Sequence, residues 1–183
     1  MQQTLSKLEL SYTDENDKDI SYVFQYNPNS ISIEKAVEWA SADGNQQDVT
    51  EKQFVNGQAK IINIKEIMFD TTTIGNMSVY TNYIQAIEAM TIVRSYKVSG
   101  DKIVKRPPYI TLSWGKSSYF VECILKNLNY NFKMFTREGI PIRATVDLTF
   151  EEIVTEKTKK AVVKNQAAAK TYITKKGETL YEI

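Results

Sequence analysis

The chain of 183 residues has no histidine and a single cysteine, Cys123. Without histidine it lacks the commonest general base and the commonest metal ligand. One thiol excludes an internal disulfide, and with no histidine beside it no zinc-type cluster can be drawn. Cys123 lies in an alternating stretch, where a buried, inert thiol is expected. A lone cysteine also fits assembly in a reducing cytoplasm. No Gly-x-Gly-x-x-Gly and no Walker-type loop occurs, so no phosphate-cradling turn is present in the sequence. Neither sign of charge prevails, with 23 basic against 22 acidic residues. That balance excludes the basic excess of a general nucleic-acid or anionic-membrane binder. No run approaches the roughly 18 apolar residues of a membrane span. The opening MQQTLSKLEL lacks the apolar centre of a signal peptide, so synthesis in the bacterial cytoplasm without a leader is expected. Carboxylate pairs exist, for example Glu151 with Glu152, but neighbours on a strand point to opposite faces, so this pair is a poor acid–base couple.

What is present is ordinary globular composition, 42% hydrophobic and 25% charged. It suits one domain of about 150 residues and a tail. Residues 5–12 and 21–28 read as a β-hairpin around the polar turn TDENDKD, with Tyr22, Phe24 and Tyr26 on one face. Asn27-Pro28 closes it, because proline donates nothing to a ladder. Residues 31–39 resume an extended pattern in which Ile31, Ile33 and Val37 are expected to be buried. Residues 40–58 are polar and read as a long loop. Residues 59–70 form a strong strand whose Ile61, Ile62, Ile64 and Ile67 fall on both faces, which suggests burial on both sides or one face against another subunit.

Residues 78–93 give the one helical period, through Val79, Tyr83, Ile84, Ile87, Met90 and Thr91, with Ser78 as N-cap. Pro107 and Pro108 fix an extended entry to a strand over 109–115 that carries Ile110, Leu112 and Trp114. Along residues 119–132 the apolar set moves from Val121, Cys123 and Leu125 to Leu128, Tyr130 and Phe132, a phase change that predicts a bulge near Lys126-Asn127. Gly139 and Pro141 make a turn of unusual φ and a rigid bend. Ala144, Val146, Leu148 and Phe150 then alternate inward. The expected fold is therefore mainly β with one helix, a two-sheet sandwich or barrel. From residue 155 the composition turns charged and alanine-rich, a linker over 155–170.

The ordered set PPYITLSWG, then YFVECILKNLNYNFKMFTREGIPIRATVDLTFEE, resembles the core of a baseplate family: the tube adaptor, or tube initiator, of contractile phage tails and contractile injection systems. Its pattern matches at Pro107, Pro108, Trp114, Gly115, Phe135, Gly139, Pro141, Arg143, Ala144, Phe150 and Glu152. Phe24, Asn27 and Pro28 match the family's start, and IMFDTT at 67–72 matches its apolar strand. The likeness covers nearly all of residues 1–153. At the other end Tyr172, Gly177, Glu178, Thr179 and Leu180 resemble the first strand and turn of a LysM module, with Glu178 in place of the usual aspartate. Residues 171–183 are thus an incomplete LysM start, too few to bury a core, and residues 1–154 the tube-like β domain.

The resemblance implies a structural role and no cofactor, metal or catalytic residue. Six copies would form a ring that joins a trimeric spike hub to the inner tube protein, nucleates tube assembly and meets wedge or sheath-initiating proteins. Nucleic acid and membrane are not implied as partners of this chain. Ile62, Ile64, Trp114, Tyr130, Phe132, Phe135 and Arg143 are the expected inter-subunit or assembly residues, with Arg143 placed in an ion pair across a subunit contact. Two other classes are weighed against this reading. One is a peptidoglycan-binding LysM protein with a β spacer. The other is a wall hydrolase using carboxylates, for which no paired-carboxylate motif is present.

Overall fold

The turn TDENDKD folds as its composition demands. In the computed structural model the Asp14 carboxylate accepts the backbone N–H groups of Asn16 (2.8 Å) and Lys18 (2.9 Å), an Asx-type turn. Asp17 takes the left-handed φ of 60° that the reversal requires. This joins β1 (Leu8–Thr13) to β2 (Asp19–Val23). The structure describes residues 5–41, 52–75, 77–98, 102–115 and 117–153, with backbone alone at 41 and 117–121. All of them belong to a unit that runs to Ile153. The expected linker over 155–170 and the LysM-like residues Tyr172, Gly177, Thr179 and Leu180 lie outside the described residues.

The remaining strands are β3 (Ile31–Ser41), β4 (Lys52–Asp70), β5 (Arg94–Lys97), β6 (Ile103–Arg106), β7 (Ile110–Trp114), β8 (Ser117–Phe135) and β9 (Pro141–Glu152). Seven of the nine strands among the described residues form one antiparallel sheet in the order β2-β1-β7-β8-β9-β4-β3, and β5 pairs with β6 as a separate ribbon. The fold is mainly β, as the alternating patterns imply. The barrel alternative is not adopted: the large sheet stays open, with β2 and β3 at its edges.

Strand β2 is shorter than the alternation predicts. Phe24 still bonds from its N–H to the Leu8 carbonyl at 3.1 Å, and then side chains take over. Asn27 accepts the Leu8 N–H (2.9 Å) and donates to the Ser6 carbonyl (2.8 Å), so an amide replaces the backbone beyond the hairpin. The helical region is one run of three geometries: a π turn at Tyr80–Ile84, an α turn at Gln85–Glu88 and a 3₁₀ turn at Ala89–Thr91. Its first bond runs from the Asn82 N–H to the Ser78 carbonyl. No side chain caps the π turn, which corrects the N-cap role expected of the Ser78 hydroxyl. Val79, Ile84, Ile87 and Met90 are buried against the sheet, while Thr91 is exposed. Residues 94–97, the first strand of the ribbon, follow directly, so the helix stops short of Val93.

The core joins this helical run to one face of the sheet through Leu8, Leu10, Phe24, Ile62, Ile64, Ile67, Phe69, Leu112, Val146, Leu148 and Phe150. Phe69 stacks between Phe24 (6.1 Å between ring centroids) and Tyr83 (5.1 Å), a geometry that adds to area burial. The isoleucines of β4 are not buried on both faces. The ladder to β9 slips between Ile64 and Ile67, and Glu66 adopts φ 56° with its N–H on Asp147 Oδ1 at 2.8 Å. This bulge inserts one residue, so Ile62, Ile64, Ile67 and Phe69 all reach the same core face. A bulge also occurs in β8 between Leu125 and Asn127, where the phase change predicts it. Gly139 holds φ 82° in a turn whose Thr136 Oγ1 accepts the N–H groups of Glu138 and Ile140.

Candidate assembly surfaces

The half of the β3–β4 hairpin that contains residues 33–40 and 52–58 is exposed throughout. Sequence reasoning placed residues 40–58 in a loop, yet Lys52–Gln58 are the first part of β4. Their polar side chains hid a strand whose two faces both meet solvent, so no period-two pattern marks it. For the same reason Ile33 and Val37, expected inside, are 50% and 46% exposed. Trp39 sits directly across from Phe54 with ring centroids 5.8 Å apart. At 56% and 62% these are the most exposed aromatic side chains among the described residues. Register shifts between Lys35 and Val37 and between Glu38 and Trp39 twist the arm, which is one way an edge is kept from indiscriminate pairing.

A second surface grows out of the core. Tyr80, Tyr130, Phe132 and Phe135 form a chain of rings with successive centroids 6.3, 5.5 and 6.1 Å apart. Tyr80 donates its hydroxyl to Glu88 at 2.6 Å, and that acceptor holds the phenol above its ordinary pKa. Tyr130 and Phe132 are half-buried against the core, and the chain ends at Phe135, 53% exposed, near the exposed Ile140. Of the seven expected assembly residues, the structure therefore brings Tyr130, Phe132 and Phe135 together. Trp114 stands apart and donates from its indole to the Ser6 carbonyl at 3.0 Å. Ile62 and Ile64 are fully buried: their side chains serve the core of the chain itself and present nothing to a neighbour. Arg143 makes its ion pair internally, with Nε and a terminal nitrogen both 2.7 Å from Asp70 Oδ2.

Asp70 is the polar anchor of this region. It is buried and also accepts the hydroxyl (2.6 Å) and the N–H (2.8 Å) of Thr72. The Thr72 bonds, followed by Arg143, hold its carboxyl below the usual range. The Gln25 amide brackets the same residue by accepting its N–H and donating to its carbonyl. The charge is thus fixed inside the chain, the arrangement in which a buried carboxylate is tolerable.

Clefts open on the described surface, among them two of several hundred Å³. The first, about 590 Å³, lies among Thr13, Asp14, Asp19, Tyr96, Arg106 and Glu122, among others. Arg106 rests between the rings of Tyr96 (4.1 Å) and Tyr109 (3.5 Å), and Arg94 bonds Glu15 at 2.7 Å. These contacts fasten the β5–β6 ribbon, which sequence reasoning did not identify because each strand has only four residues. The second, about 660 Å³, contains Leu5, Tyr26, Glu66, Met68 and Lys133.

No group of three or more metal-ligating side chains exists among the described residues. Glu151 pairs with Lys126 (2.6 Å) and Glu152 with Lys60 (3.3 Å), so the adjacent carboxylates act separately. Cys123 is fully buried and donates its S–H to the Ile110 carbonyl. Burial, then the charge of Glu152, pushes its thiol up to about 12, which makes it a poor nucleophile. No helix among the described residues is long and apolar enough to cross a membrane.

The described surface thus carries an exposed apolar arm, an aromatic chain that reaches the surface and two open sheet edges. No curated protein matches the chain. The family model of the contractile injection system tube protein matches residues 4–161. The chain belongs to the family of contractile injection system tube proteins, structural components of phage tail-like particles.

Proposed function

We propose that this chain is the ring adaptor of such a particle, six copies of which join the trimeric spike hub to the inner tube and nucleate tube assembly. The observation that carries the reading is the joint presence of a tube-family match over residues 4–161 and a LysM-like start at Tyr172, Gly177, Thr179 and Leu180, the combination that the adaptor resemblance implies. The adaptor makes and breaks no bond; it works by burying interface area and matching symmetry. Open edges at β2 and β3 support a ring in which neighbouring sheets meet, a heterologous contact that closes on itself. The exposed Phe135 end of the aromatic chain and the Trp39–Phe54 arm are the surfaces offered to neighbours. The inner tube protein, the hub and wedge or sheath-initiating proteins are the partners, with nucleic acid and membrane outside its contacts.

The experiment is negative-stain electron microscopy of particles drawn from the native host through a tag on this chain. Sheathed or naked tubes held at one baseplate end, with six copies in class averages, are the expected result. Recovery of free monomer without tube or spike protein would overturn the adaptor role. The LysM-like start favours one other reading, a peptidoglycan-binding protein with a β spacer. Pelleting of a longer chain, but not this one, with purified peptidoglycan would mark it.

A further inference from the structure

We infer that the arm of one copy docks in the apolar groove of a second copy of this chain: Val37, Trp39 and Phe54 enter the cleft formed by Leu5, Tyr26 and Met68. The inference deepens the ring reading and rests on it.

The arm and the groove share a strand. Phe54 and Met68 both belong to β4 (Lys52–Asp70), and at about 3.3 Å per residue they lie roughly 45 Å apart along it. A paired strand does not fold back on itself, so the arm cannot fill its own groove. Both ends carry apolar side chains that the described residues leave exposed. Val37, Trp39 and Phe54 are 46%, 56% and 62% exposed, and Leu5, Tyr26 and Met68 are 73%, 42% and 43% exposed. Val37 and Trp39 are two residues apart on β3, and Trp39 faces Phe54 across the ladder, so the three share one face.

Aromatic side chains bury about 150–250 Å² each. The six together therefore supply on the order of 600 Å² of mostly apolar area. This is enough for the apolar centre of an interface near the lower specific limit of about 1,000 Å². The cleft's 660 Å³ is of the size that takes ring systems. Its two charges, Glu66 and Lys133, are of opposite sign, so it repels neither sign of neighbour.

Such a contact is heterologous: it repeats from copy to copy and either closes or propagates. If six copies close, equivalent points on neighbours are separated by the ring radius. The strand length then limits that radius to about 45 Å at the level of the arm.

The test uses thiol placement, which the inert Cys123 leaves free of background. Val37→Cys and Met68→Cys are made singly and together in the full chain, and particles or concentrated protein are treated with a short bis-maleimide. The double variant is expected to give a covalent ladder at least tenfold above wild type. Each single variant should stay near wild type. A mixture of the two single variants should stop at dimers. Equal dimers from a single variant, meaning a symmetric arm-to-arm or groove-to-groove contact, would overturn the docking. So would rings or tubes visible by electron microscopy that yield no ladder, with the ring reading intact. If no assembly forms in particles or at high concentration, both readings fall. Trp39→Ala with Phe54→Ala provides a second check: wild-type circular dichroism with loss of the assembled form is expected, and unimpaired assembly would refute the contact.

Discussion

The two halves of β4 are one strand in two environments. From Ile62 to Asp70 the strand pairs with β9, and as far as Ile64 with β3 as well, with Ile62, Ile64, Ile67 and Phe69 beneath the helical run. From Lys52 to Gln58 it runs beside β3, and every residue is exposed. Both halves are held in antiparallel ladders. The difference lies in what covers the side chains, and it separates residues that hold the fold from residues left for a neighbour. A ladder of two strands has little stability alone, so the arm depends on its continuity with the covered half.

The largest effect should come from the covered half. Phe69→Ala removes a ring stacked between Phe24 and Tyr83 and is expected to cost about 3–5 kcal/mol in urea unfolding. Phe54→Ala on the arm should change monomer stability by no more than about 0.5 kcal/mol. Equal losses would erase the distinction.

At the end of the covered half, Asp70→Asn should cost about 1–3 kcal/mol near neutral pH by weakening the bonds with Thr72 and Arg143. The folded carboxyl lies below its ordinary 3.8. Its stabilisation is therefore complete above that value and is lost as pH falls through the lowered one. Thermal unfolding from pH 7 to 2 should show the wild-type advantage shrinking only in acid; a constant gap would show that the charge is not what the site stabilises.

Cys123 responds to the opposite end of the pH scale. The folded thiol is raised from 9.0 to about 12. Stability is retained below pH 9 and declines as pH rises toward 12, because the unfolded thiol ionises first. Iodoacetamide at pH 8 should label it only after unfolding, and rapid labelling of the native chain would contradict its burial. The smallest effect on the fold belongs to Trp39→Ala, within about 0.5 kcal/mol of wild type in the monomer. The same change should markedly reduce the yield of assembled rings or tubes, measured by electron microscopy. Normal assembly would show that the arm is not a contact.

The core was legible wherever one face of a strand is covered and the ladder is regular. Ala144, Val146, Leu148 and Phe150 alternate and are buried, and the helical period finds Val79, Ile84, Ile87 and Met90. Two kinds of site escaped that reading. Bulges shift the phase: the slip in β8 could be read because apolar residues continue beyond it, whereas the slip in β4 made one buried face look like two. Exposure on both faces leaves no period at all, which is why Lys52–Gln58 read as loop and why Trp39 and Phe54 were absent from the expected assembly residues. A tryptophan and a phenylalanine in a polar stretch were the only signal. The β4 slip is also why Ile62 and Ile64, which are fully buried, read as residues that could face a neighbour.

By itself the sequence determined the mainly β character, the lack of histidine and of a second cysteine, and the ordered set of strands and turns that carries the likeness to the tube family. These follow from side-chain chemistry and local φ/ψ preference, which each residue carries with it. Only the tertiary structure decided which isoleucines are covered, that Arg143 faces Asp70 in its own chain and that the β3–β4 arm stands clear of the core. Those outcomes depend on strand order and on bulges that set which face meets the helical run. Both are fixed by the packing of distant segments rather than by any local stretch of residues.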